Sequence, residues 1–442
     1  MNIALLSPAG AMHRFTGSFK KAIHYAPLTM TTLAAVITNY IDAQVSIYDE
    51  TIETIPLNLN VDLILITAIT GTAPRAYAFA DYYRAKGIKV IIGGVHATLR
   101  PLEAKEHCDS VLMGFGEILM PEMLVDLKQG KLKPFYNDKD RKGELQFTRP
   151  NRSLLPTGKY ITNSSLEASR GCSNACTFCA VNALHTTHVY KKNVKDIVAE
   201  IETLNTKNIL FVDVNLLADR VFAVDLFKAL IPLKKWWYGL STADVVQDRE
   251  VFDLMVKSGC KGLLIGFESV TASGLQAMNK YRNDVVNYAE LMKKMHGNGI
   301  SVNGTFCFGT DEDDLDVFDR TVEMVLELKI DLPRYSILTP FPGTPLYEQL
   351  SAENRITDTH WAMYDVQHVV YEPKKMSQKQ LMDGFVRAWR ETYSLGGIAR
   401  RIARPHLTFP LSIMTNNAYR YYADKLESFP RERMIDNSDV DL

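Results

Sequence analysis

The first 128 residues alternate short apolar runs with stretches whose apolar residues recur at helical spacing. The apolar runs predict strands at Ile3–Leu6, Val45–Tyr48, Leu63–Thr67, Val90–Ile92 and Ser110–Met113. The helical patterns lie at Leu28–Tyr40, Pro74–Lys86 and Ile118–Leu127. Strands that alternate with helices indicate βαβ units and a parallel sheet, so we expect a doubly wound α/β domain here.

A second alternation, on a larger scale, begins near Ser165. Its predicted strands are Leu166–Ser169, Ile209–Asp213, Trp237–Leu240, Gly262–Phe267, Val302–Phe308 and Tyr335–Leu338. Helical patterns follow the first five strands, at Val194–Leu204, Val221–Leu230, Glu250–Val256, Val285–Met295 and Leu315–Leu326. Because a complete barrel has eight strand–helix units, six strands predict either a partial (β/α)6 barrel or a second open sheet.

The boundaries between these regions follow from shifts in composition. The charged run from Asp138 to Lys142 and the few periodic apolar positions around it predict a linker at 141–160. The predicted units are therefore a first domain at 1–140, a barrel at 161–350 and a mainly helical region at 351–442. Thr310 with Asp313, and Ser377 with Gln380, have the spacing of helix starts, the second opening a helix through Trp389. The charged last dozen residues are expected to fray.

The bulk composition restricts the classes of function. Hydrophobic residues make up 46% of the chain, and 50 basic residues balance 51 acidic ones. A net charge of −1 gives no global field that recruits nucleic acid, so no nucleic-acid partner is expected. The longest apolar runs, such as Leu63–Ile69, are too short for an integral membrane segment. The N-terminus lacks the basic start of a secretion signal, so we expect a cytoplasmic protein.

Three of the six cysteines form a cluster, Cys172-x3-Cys176-x2-Cys179, directly after a predicted strand. Loops that follow barrel strands form the catalytic face, and thiolates bind both iron–sulfur clusters and zinc. Three cysteines hold three corners of a cubane cluster and leave the fourth iron open. The alternative is a structural zinc site with His185 or His188 as a fourth ligand, but its usual paired spacing fits poorly. The remaining cysteines, 108, 260 and 307, are expected to be buried.

The cysteine motif, with Phe178 before its third cysteine, resembles the radical S-adenosylmethionine (SAM) superfamily. The lead-in Ser169-Arg170-Gly171-Cys172 resembles the subfamily that carries an N-terminal cobalamin-binding domain. The later segments Phe211–Asn215, Gly266–Ser269 and Pro340–Pro345 follow in the order of that subfamily. The similarity runs from Met1 to about Arg401. It implies a Rossmann-like cobalamin-binding domain, a partial TIM-type radical SAM barrel and a helical C-terminal segment.

The resemblance also implies cofactors and a reaction. A 4Fe-4S cluster would cleave SAM to a 5′-deoxyadenosyl radical, with an electron supplied by a donor such as flavodoxin or ferredoxin. Cobalamin would carry a methyl group, most readily for C-methylation of an unactivated carbon in a small-molecule or lipid substrate. The alternatives are a radical SAM cyclase or rearrangement enzyme of the same architecture, and a zinc-stabilised binding protein without activity.

Residues expected to contact SAM lie at the ends of barrel strands. Asp213 and Asn215 suit an ammonium group and hydroxyls, although both residue types are also common helix N-caps. Glu268 ends an apolar strand, where a carboxylate is costly unless it is paired. The candidates for SAM contact are Asp213, Asn215, Ser241, Glu268, Gly309 and Phe341.

Three strand ends in the first domain are rich in small residues and resemble cobalamin-contacting loops. The candidates are Thr67, Ile69, Thr70, Gly71, Gly93, Gly94, Val95, His96, Gly114, Phe115, Gly116 and Glu117. Small residues let the backbone approach a large flat ligand, although tight turns with nothing bound also use them. His96 lacks the D-x-H-x-x-G signature, so we expect cobalamin without a histidine on cobalt. Two departures stand out: Phe115 replaces glutamate in the usual G-E-G-E, and Ser173 replaces proline after Cys172.

The C-terminal stretch combines basic and apolar residues. They are Arg400, Arg401 and Arg404 with Leu407, Phe409, Leu411 and Ile413. Such a stretch suits either a membrane surface or lipid substrate, or a helix that covers the open side of the barrel, which is the more frequent case. Trp361, Tyr364 and His368, just before it, are expected to line a substrate pocket.

Overall fold

A computed structural model describes residues 1–10, 25–138, 148–156, 158–185, 187–403 and 409–428. Its strands are β1 Asn2–Ser7, β2 Gln44–Asp49, β3 Leu63–Thr67, β4 Lys89–Gly93, β5 Ser110–Met113, β6 Phe135–Asn137, β7 Ser165–Leu166, β8 Ser169–Gly171, β9 Val189–Lys191, β10 Asn208–Phe211, β11 Trp236–Thr242, β12 Cys260–Glu268, β13 Ser301–Phe308 and β14 Arg334–Ile337. Its helices are α1 Leu28–Tyr40, α2 Ala73–Ala85, α3 Val95–Leu99, α4 Pro101–His107, α5 Gly116–Lys128, α6 Ala180–His185, α7 Val194–Glu202, α8 Arg220–Leu230, α9 Arg249–Lys257, α10 Ala272–Ala277, α11 Tyr288–Gly297, α12 Val317–Glu327, α13 Pro345–Ala352, α14 Gln378–Thr392, α15 Leu395–Ile402 and α16 Phe409–Lys425.

The first sheet has the strand order β2-β1-β3-β4-β5-β6, with parallel pairing throughout. Successive side chains of a strand point to opposite faces. Leu5 of β1 accordingly packs in the cluster with α1 and α5, and Leu6 packs in the cluster with α2, α3 and α4. Helices on both faces of a parallel sheet confirm the predicted doubly wound domain. The short helices α3 and α4 and the strand β6 lack a clear sequence pattern and were not predicted.

The second sheet has the order β14-β13-β12-β11-β10-β7, which follows the chain without a crossover. Every pair is parallel, and β7 and β14 do not pair with each other. Of the two predicted alternatives, the structure therefore shows the partial (β/α)6 barrel and not a second open sheet. Large buried side chains pack this sheet against its helices: Trp237 stacks on Phe227 of α8 at 5.4 Å, and Phe267 meets Tyr288 of α11 edge to face at 4.7 Å.

Two local predictions are wrong. The expected strand Leu166–Ser169 is divided, because the chain leaves the barrel sheet after Leu166 and pairs antiparallel with β9 from Ser169 onward. Thr310 and Asp313 do not start a helix, since α12 begins only at Val317. The Asp313 carboxylate instead accepts hydrogen bonds from the N–H groups of Gly309 and Thr310, at 2.8 and 2.9 Å, which closes a turn.

The end of the predicted linker packs back on the first domain. The Tyr160 hydroxyl donates to the Asp49 carboxylate at 3.1 Å, and Lys159 pairs with Glu53 at 3.2 Å. The charged positions 139–142 lie outside the described residues. The proposed domain limits therefore stay a prediction.

The C-terminal helices cover the last strand of the barrel. Ser377 and Gln380 form the predicted capping box, and α14 packs on β14 and α12. Arg401 is fully buried, and its guanidinium donates to the carbonyl groups of Ile330 and Asp331 at 3.1 and 3.0 Å. Arg401 is therefore a structural residue. This agrees with the alternative in which the C-terminal stretch covers the barrel. Arg404, Leu407 and the frayed-end prediction for the last dozen residues fall outside the described part.

Replacing Arg401 with methionine is expected to lower the free energy of unfolding by about 3 kcal/mol, because buried carbonyl groups lose their donors. Urea unfolding measures the change. The neighbouring Arg400 is exposed, and the matched Arg400→Met is expected to change stability by less than about 0.5 kcal/mol. Equal effects of the two substitutions would contradict a structural role for Arg401.

Within the described residues, the search for a helix long and apolar enough to cross a membrane finds none.

Candidate functional site

A cavity of about 170 Å³ lies at the carboxyl ends of the central barrel strands. All three clustered cysteines line it. Polar side chains from successive strands line the same cavity; they are Asn215, Ser241, Thr242, Glu268 and Thr305. The apolar part of the wall consists of Phe178, Val181, Val214, Leu240 and Leu264. The arrangement places the thiols beside groups that bind charged and hydroxyl-bearing ligands.

The cysteine loop begins at Gly171, where any other residue would strain the backbone. Gly171 ends β8 with φ of +96°, and a Cβ there would lie 2.1 Å from the carbonyl oxygen of His188, the residue before β9. The loop is then anchored to the segment after α10. Asn279 donates to the Ala175 carbonyl group at 2.6 Å, and the Thr177 N–H donates to Met278 at 3.2 Å. The hairpin and these two bonds fix the loop against the barrel.

Burial raises the pKa of the Cys176 thiol to about 11, while the nearby Lys280 ammonium acts in the opposite direction. The pKa of Cys179 is also raised by burial. Thiols of this kind are deprotonated when they ligate a metal, because the metal charge outweighs the burial. Among the residues that the structure describes, no three His, Cys, Asp or Glu side chains stand close enough to bind a single metal ion. The three thiols line one cavity, and a cluster in which each thiolate binds a different iron needs three such ligands.

A buried ion pair lines the same cavity as the cysteines. Lys280 donates to the Glu268 carboxylate at 2.5 Å, and both side chains are at least 85% buried. Glu268 ends β12 with φ of +66°, a left-handed conformation that is uncommon outside glycine. Gly266 makes room for the pair, since a Cβ there would lie 2.3 Å from the Glu268 carboxylate. Sequence reasoning found Glu268 but missed Lys280, which lies in an irregular segment without a pattern.

Asn215 and Ser241 line the cavity, in keeping with their predicted role. The Asn215 side-chain amide lies 3.9 Å from the Cys172 sulfur, and its oxygen accepts from the Leu217 N–H at 3.1 Å. Asn215 does not cap α8, because Asp219 occupies that position and accepts from Phe222 at 3.0 Å. The amide nitrogen of Asn215 therefore remains directed toward the cysteine loop.

Asp213 is not among the residues that line the cavity, and its contact with SAM stays a prediction. Its carboxylate is buried and accepts hydrogen bonds from the Ala168 N–H at 3.0 Å and the Ser169 hydroxyl at 2.7 Å. The Ser169 N–H also donates to it. Burial raises the pKa of Asp213 to about 7, against the effect of these donors. Asp213 ties the end of β10 to the chain that leads into the cysteine loop.

Gly309 and Phe341 are also not among the residues that line the cavity. A Cβ on Gly309 would lie 2.3 Å from the Tyr371 hydroxyl, so the close neighbour of this glycine is the protein itself. Phe341 packs against the hydrophobic core. The contact of these two residues with SAM stays a prediction.

The three predicted cobalamin loops follow the adjacent parallel strands β3, β4 and β5 at one edge of the first sheet. Their glycines are explained by contacts within the protein. A Cβ on Gly94 would lie 2.7 Å from the Ala68 carbonyl oxygen, and one on Gly114 would overlap the Asp138 carboxylate. Ile69 is 58% exposed, so this edge presents an apolar side chain beside the polar turns, which suits an extended flat ligand.

His96 is buried between the loops and has a partner on each ring nitrogen. Nδ1 lies 3.3 Å from the Thr70 hydroxyl, and Nε2 lies 3.2 Å from the Glu103 carboxylate. Both nitrogens are thus engaged, so His96 is not available as a ligand of cobalt. This geometry agrees with the expectation drawn from the missing histidine signature.

The residues that line the cavity do not include Trp361, Tyr364 or His368. Trp361 contacts the first domain, whereas Tyr364 belongs to the buried core of the barrel. The Trp361 ring meets the His96 ring edge to face at 5.2 Å, and the Tyr364 hydroxyl donates to Asp358 at 2.8 Å. His368 lies against Asp365, with 2.9 Å between the nearest ring nitrogen and carboxylate oxygen. Trp361 thus joins the C-terminal region to the cobalamin-type loops.

Glu103 is central to that junction, where Trp361 donates to it at 2.7 Å. Burial acts to raise its pKa, but hydrogen bonds from His96, Trp361 and Arg100 outweigh burial and lower the pKa to about 2. The ionised carboxylate therefore stabilises the fold fully above its unfolded pKa of about 4.5, and this stabilisation is lost as the pH falls toward 2.

We expect Glu103→Gln to cost about 2 kcal/mol at pH 7, and the difference from wild type to shrink below about pH 4.5. Urea unfolding at pH 7, 5 and 4 measures it. Glu106→Gln, at an exposed position of the same helix, serves as the matched control. A wild-type-to-variant difference that grows on acidification would contradict the assignment.

Comparison with known proteins agrees with both halves of the site. The family profile of the radical SAM superfamily matches residues 166–325, and that of the B12 binding domain matches residues 26–124. The bacteriochlorophyllide d C-12(1)-methyltransferase of Chlorobaculum tepidum is 31% identical over 388 residues, covering 85% of this chain and 84% of the relative. The chain belongs to the radical SAM superfamily with a B12-binding domain.

Other relatives of this radical SAM protein extend the comparison. The bacteriochlorophyllide d C-8(2)-methyltransferase of the same organism is 27% identical and covers 85% of this chain and 87% of the relative. The solved structure of TsrM from Kitasatospora setae has a TM-score of 0.63 at 15% identity, covering 80% of this chain and 75% of that one. The cobalamin-dependent enzyme OxsB has a TM-score of 0.68 at 16% identity, covering 99% and 75%. The two structures share the fold.

The cofactors of this radical SAM enzyme are a 4Fe-4S cluster, SAM and cobalamin. The residues present fit all three. Thiols around one cavity suit the cluster, the acidic and amide groups beside them suit the amino-acid and ribose parts of SAM, and the sheet edge with Ile69 suits the corrin.

Proposed function

We propose that this enzyme transfers a methyl group from SAM to an unactivated carbon of its substrate. The observation that carries the proposal is a direct contact between its two cofactor-binding regions. Arg170, two residues before Cys172, pairs at 2.6 Å with Glu117 of the cobalamin-type loop. The methyltransferase names of both bacteriochlorophyllide relatives support the same reaction.

The chain itself positions and shields the reactants. When bound, the cluster supplies the electron that cleaves SAM, and cobalamin carries the methyl group that is transferred. We assign the cluster to Cys172, Cys176 and Cys179. Glu268 and Asn215 are assigned to the ammonium and hydroxyl groups of SAM, with Ser241 as a further hydroxyl contact.

Two further features of the cavity support this assignment. Lys280 compensates the charge of Glu268, which offsets the cost of burying that carboxylate beside the SAM site. The apolar wall formed by Phe178, Val214 and Leu264 excludes water, which would otherwise quench a reactive radical.

The proposal includes two partners. An electron donor such as flavodoxin or ferredoxin reduces the cluster. The substrate is a small molecule, and the names of the two bacteriochlorophyllide methyltransferases favour a large planar macrocycle over a lipid.

A radical cyclase is the second candidate. The anaerobic magnesium-protoporphyrin IX monomethyl ester cyclase of Cereibacter sphaeroides is 24% identical over 382 residues, covering 76% of this chain and 60% of the cyclase. Its name describes ring closure, so the architecture alone does not select methylation.

Labelled SAM separates the two candidates. The reconstituted, cobalamin-loaded enzyme is incubated with a reductant, a bacteriochlorophyllide and SAM that carries a deuterated methyl group. We expect the label in the product, together with S-adenosylhomocysteine and 5′-deoxyadenosine. 5′-Deoxyadenosine without S-adenosylhomocysteine and without label in any product would refute methyl transfer and favour the cyclase.

A further inference from the structure

Arg170 contacts both halves of the molecule at once. Its guanidinium forms a bidentate pair with Glu167 on its own side, at 2.9 and 2.7 Å. The remaining nitrogen donates to Glu117 at 2.6 Å, at the start of α5 in the first domain. The Glu117 side chain is 9% exposed and that of Arg170 is 23% exposed. Ion pairs of this degree of burial hold a fixed geometry, and a planar guanidinium does so better than an ammonium group.

Phe115 forms a second contact at the same junction. The Arg170 guanidinium lies over its ring at 4.6 Å, and the His185 ring stacks on it at 4.9 Å and 23°. Tyr190 of β9 meets the ring edge to face at 5.1 Å. Phe115 is only 7% exposed, although it belongs to a loop of the other domain.

These contacts reach the cysteine loop from both of its ends. Arg170 lies two residues before Cys172, and His185 ends the short helix that begins directly after Cys179. Phe115 is therefore held by the residues on either side of the cluster-binding loop. It occupies the position at which the sequence resemblance predicts a glutamate. A second carboxylate there would be buried beside Glu117, whereas a phenyl ring supplies both a cation–π and a stacking surface.

The backbone around Phe115 is fixed as well. The Phe115 N–H donates to the Asp138 carboxylate at 2.9 Å, and the Gly114 N–H donates to the Thr98 hydroxyl at 3.0 Å. The Phe115 side chain thus belongs to a loop whose backbone is held by hydrogen bonds. Its ring contacts fix the cysteine loop relative to that backbone.

We propose that Arg170 and Phe115 are positioning residues that set the separation between the iron–sulfur cluster and cobalamin. This proposal takes one element from the proposed function, namely that both cofactors act on the same substrate. A shift of about 1 Å between reacting groups costs up to about a hundredfold in rate, so such a spacer affects the transfer step without touching a reacting atom.

The test uses the holoenzyme with cluster and cobalamin bound. Pulsed electron paramagnetic resonance measures the distance between the reduced cluster and cobalt in its Co(II) state. We expect one narrow distance in the wild type, and a shifted or broadened distribution in Arg170→Met, Glu117→Gln and Phe115→Ala. Iron and cobalamin contents are measured in every variant, and distances are compared only among chains that hold both cofactors.

Two matched controls use ion pairs that do not cross the junction. Lys191 lies on the same hairpin as Arg170 and pairs with Asp219, and Glu122 lies on the same helix as Glu117 and pairs with Lys133. Lys191→Met and Glu122→Gln are expected to keep the wild-type distance. An unchanged distance in both Glu117→Gln and Phe115→Ala would overturn the proposal. Equal broadening in the controls would overturn it too.

The ratio of 5′-deoxyadenosine to S-adenosylhomocysteine gives a second readout. We expect this ratio to rise about tenfold in Glu117→Gln, because radicals form but capture the methyl group less often. If the wild type forms no S-adenosylhomocysteine, the proposed methyl transfer fails, while the distance measurement still decides the role of Arg170.

Discussion

Cys176→Ala is expected to abolish radical cleavage of SAM, with 5′-deoxyadenosine formation falling by at least about 10⁴-fold. The cavity offers three thiols, and Cys176 is the most buried of them. A cluster that loses one of three protein ligands is not retained in a site that already leaves one iron open. Iron and sulfide analysis after anaerobic reconstitution is expected to fall from about four of each per chain to less than one.

The matched control is Cys108→Ala in the first domain. Cys108 is buried, and its thiol donates to the Ala104 and Ser110 carbonyl groups, both at 3.1 Å. Its removal is expected to cost about 1 kcal/mol of stability and to leave the iron content unchanged. Full iron and sulfide in Cys176→Ala, or one zinc without sulfide in the wild type, would contradict a cluster held by these cysteines.

Asp213→Ala is expected to lower the free energy of unfolding by about 4 kcal/mol. The substitution leaves the N–H groups of Ala168 and Ser169 buried without an acceptor, and the Ser169 hydroxyl loses its partner as well. Urea unfolding of the cluster-free protein measures this loss, because SAM does not contribute there.

Asn215→Ala is the informative comparison, since Asn215 lies two residues away and lines the cavity. We expect it to weaken SAM binding about tenfold while changing stability by about 1 kcal/mol or less. Asp213→Ala should show the reverse pattern. A loss of SAM affinity in Asp213→Ala with unchanged stability would restore the direct contact that the sequence suggested.

Asp213 illustrates why a site is harder to predict than a fold. The periodicity of apolar residues located both parallel sheets, and the Ser377–Gln380 spacing located a capping box, because these signals are local. Whether a carboxylate at a strand end faces a ligand or turns back depends on its neighbours in space. Here the chain leaves the sheet after Leu166, so the N–H groups of Ala168 and Ser169 take no part in the pairing of that sheet. Both donate to the Asp213 carboxylate instead.

The same reasoning explains Lys280 and the glycines. Lys280 comes from an irregular segment after α10, and only the path of the backbone brings it to Glu268. Gly94 and Gly114 are predicted to contact cobalamin, and this stays a prediction. Sequence alone did not reveal that atoms of Ala68 and Asp138 lie close to these glycines. The spacing of the cysteines was enough to predict that their thiols share one site, because all three lie on one short loop.

The incomplete barrel leaves two open sheet edges, and an open edge is a template on which another chain can add a strand and aggregate. One edge, β7, is only two residues long. At the other edge, the Ile337 N–H of β14 is already bonded to the Val366 carbonyl oxygen at 2.8 Å. The six-stranded barrel therefore has few unpaired backbone N–H and C=O groups at its edges. It stays open for a substrate, while strand pairing with another copy of the chain is disfavoured.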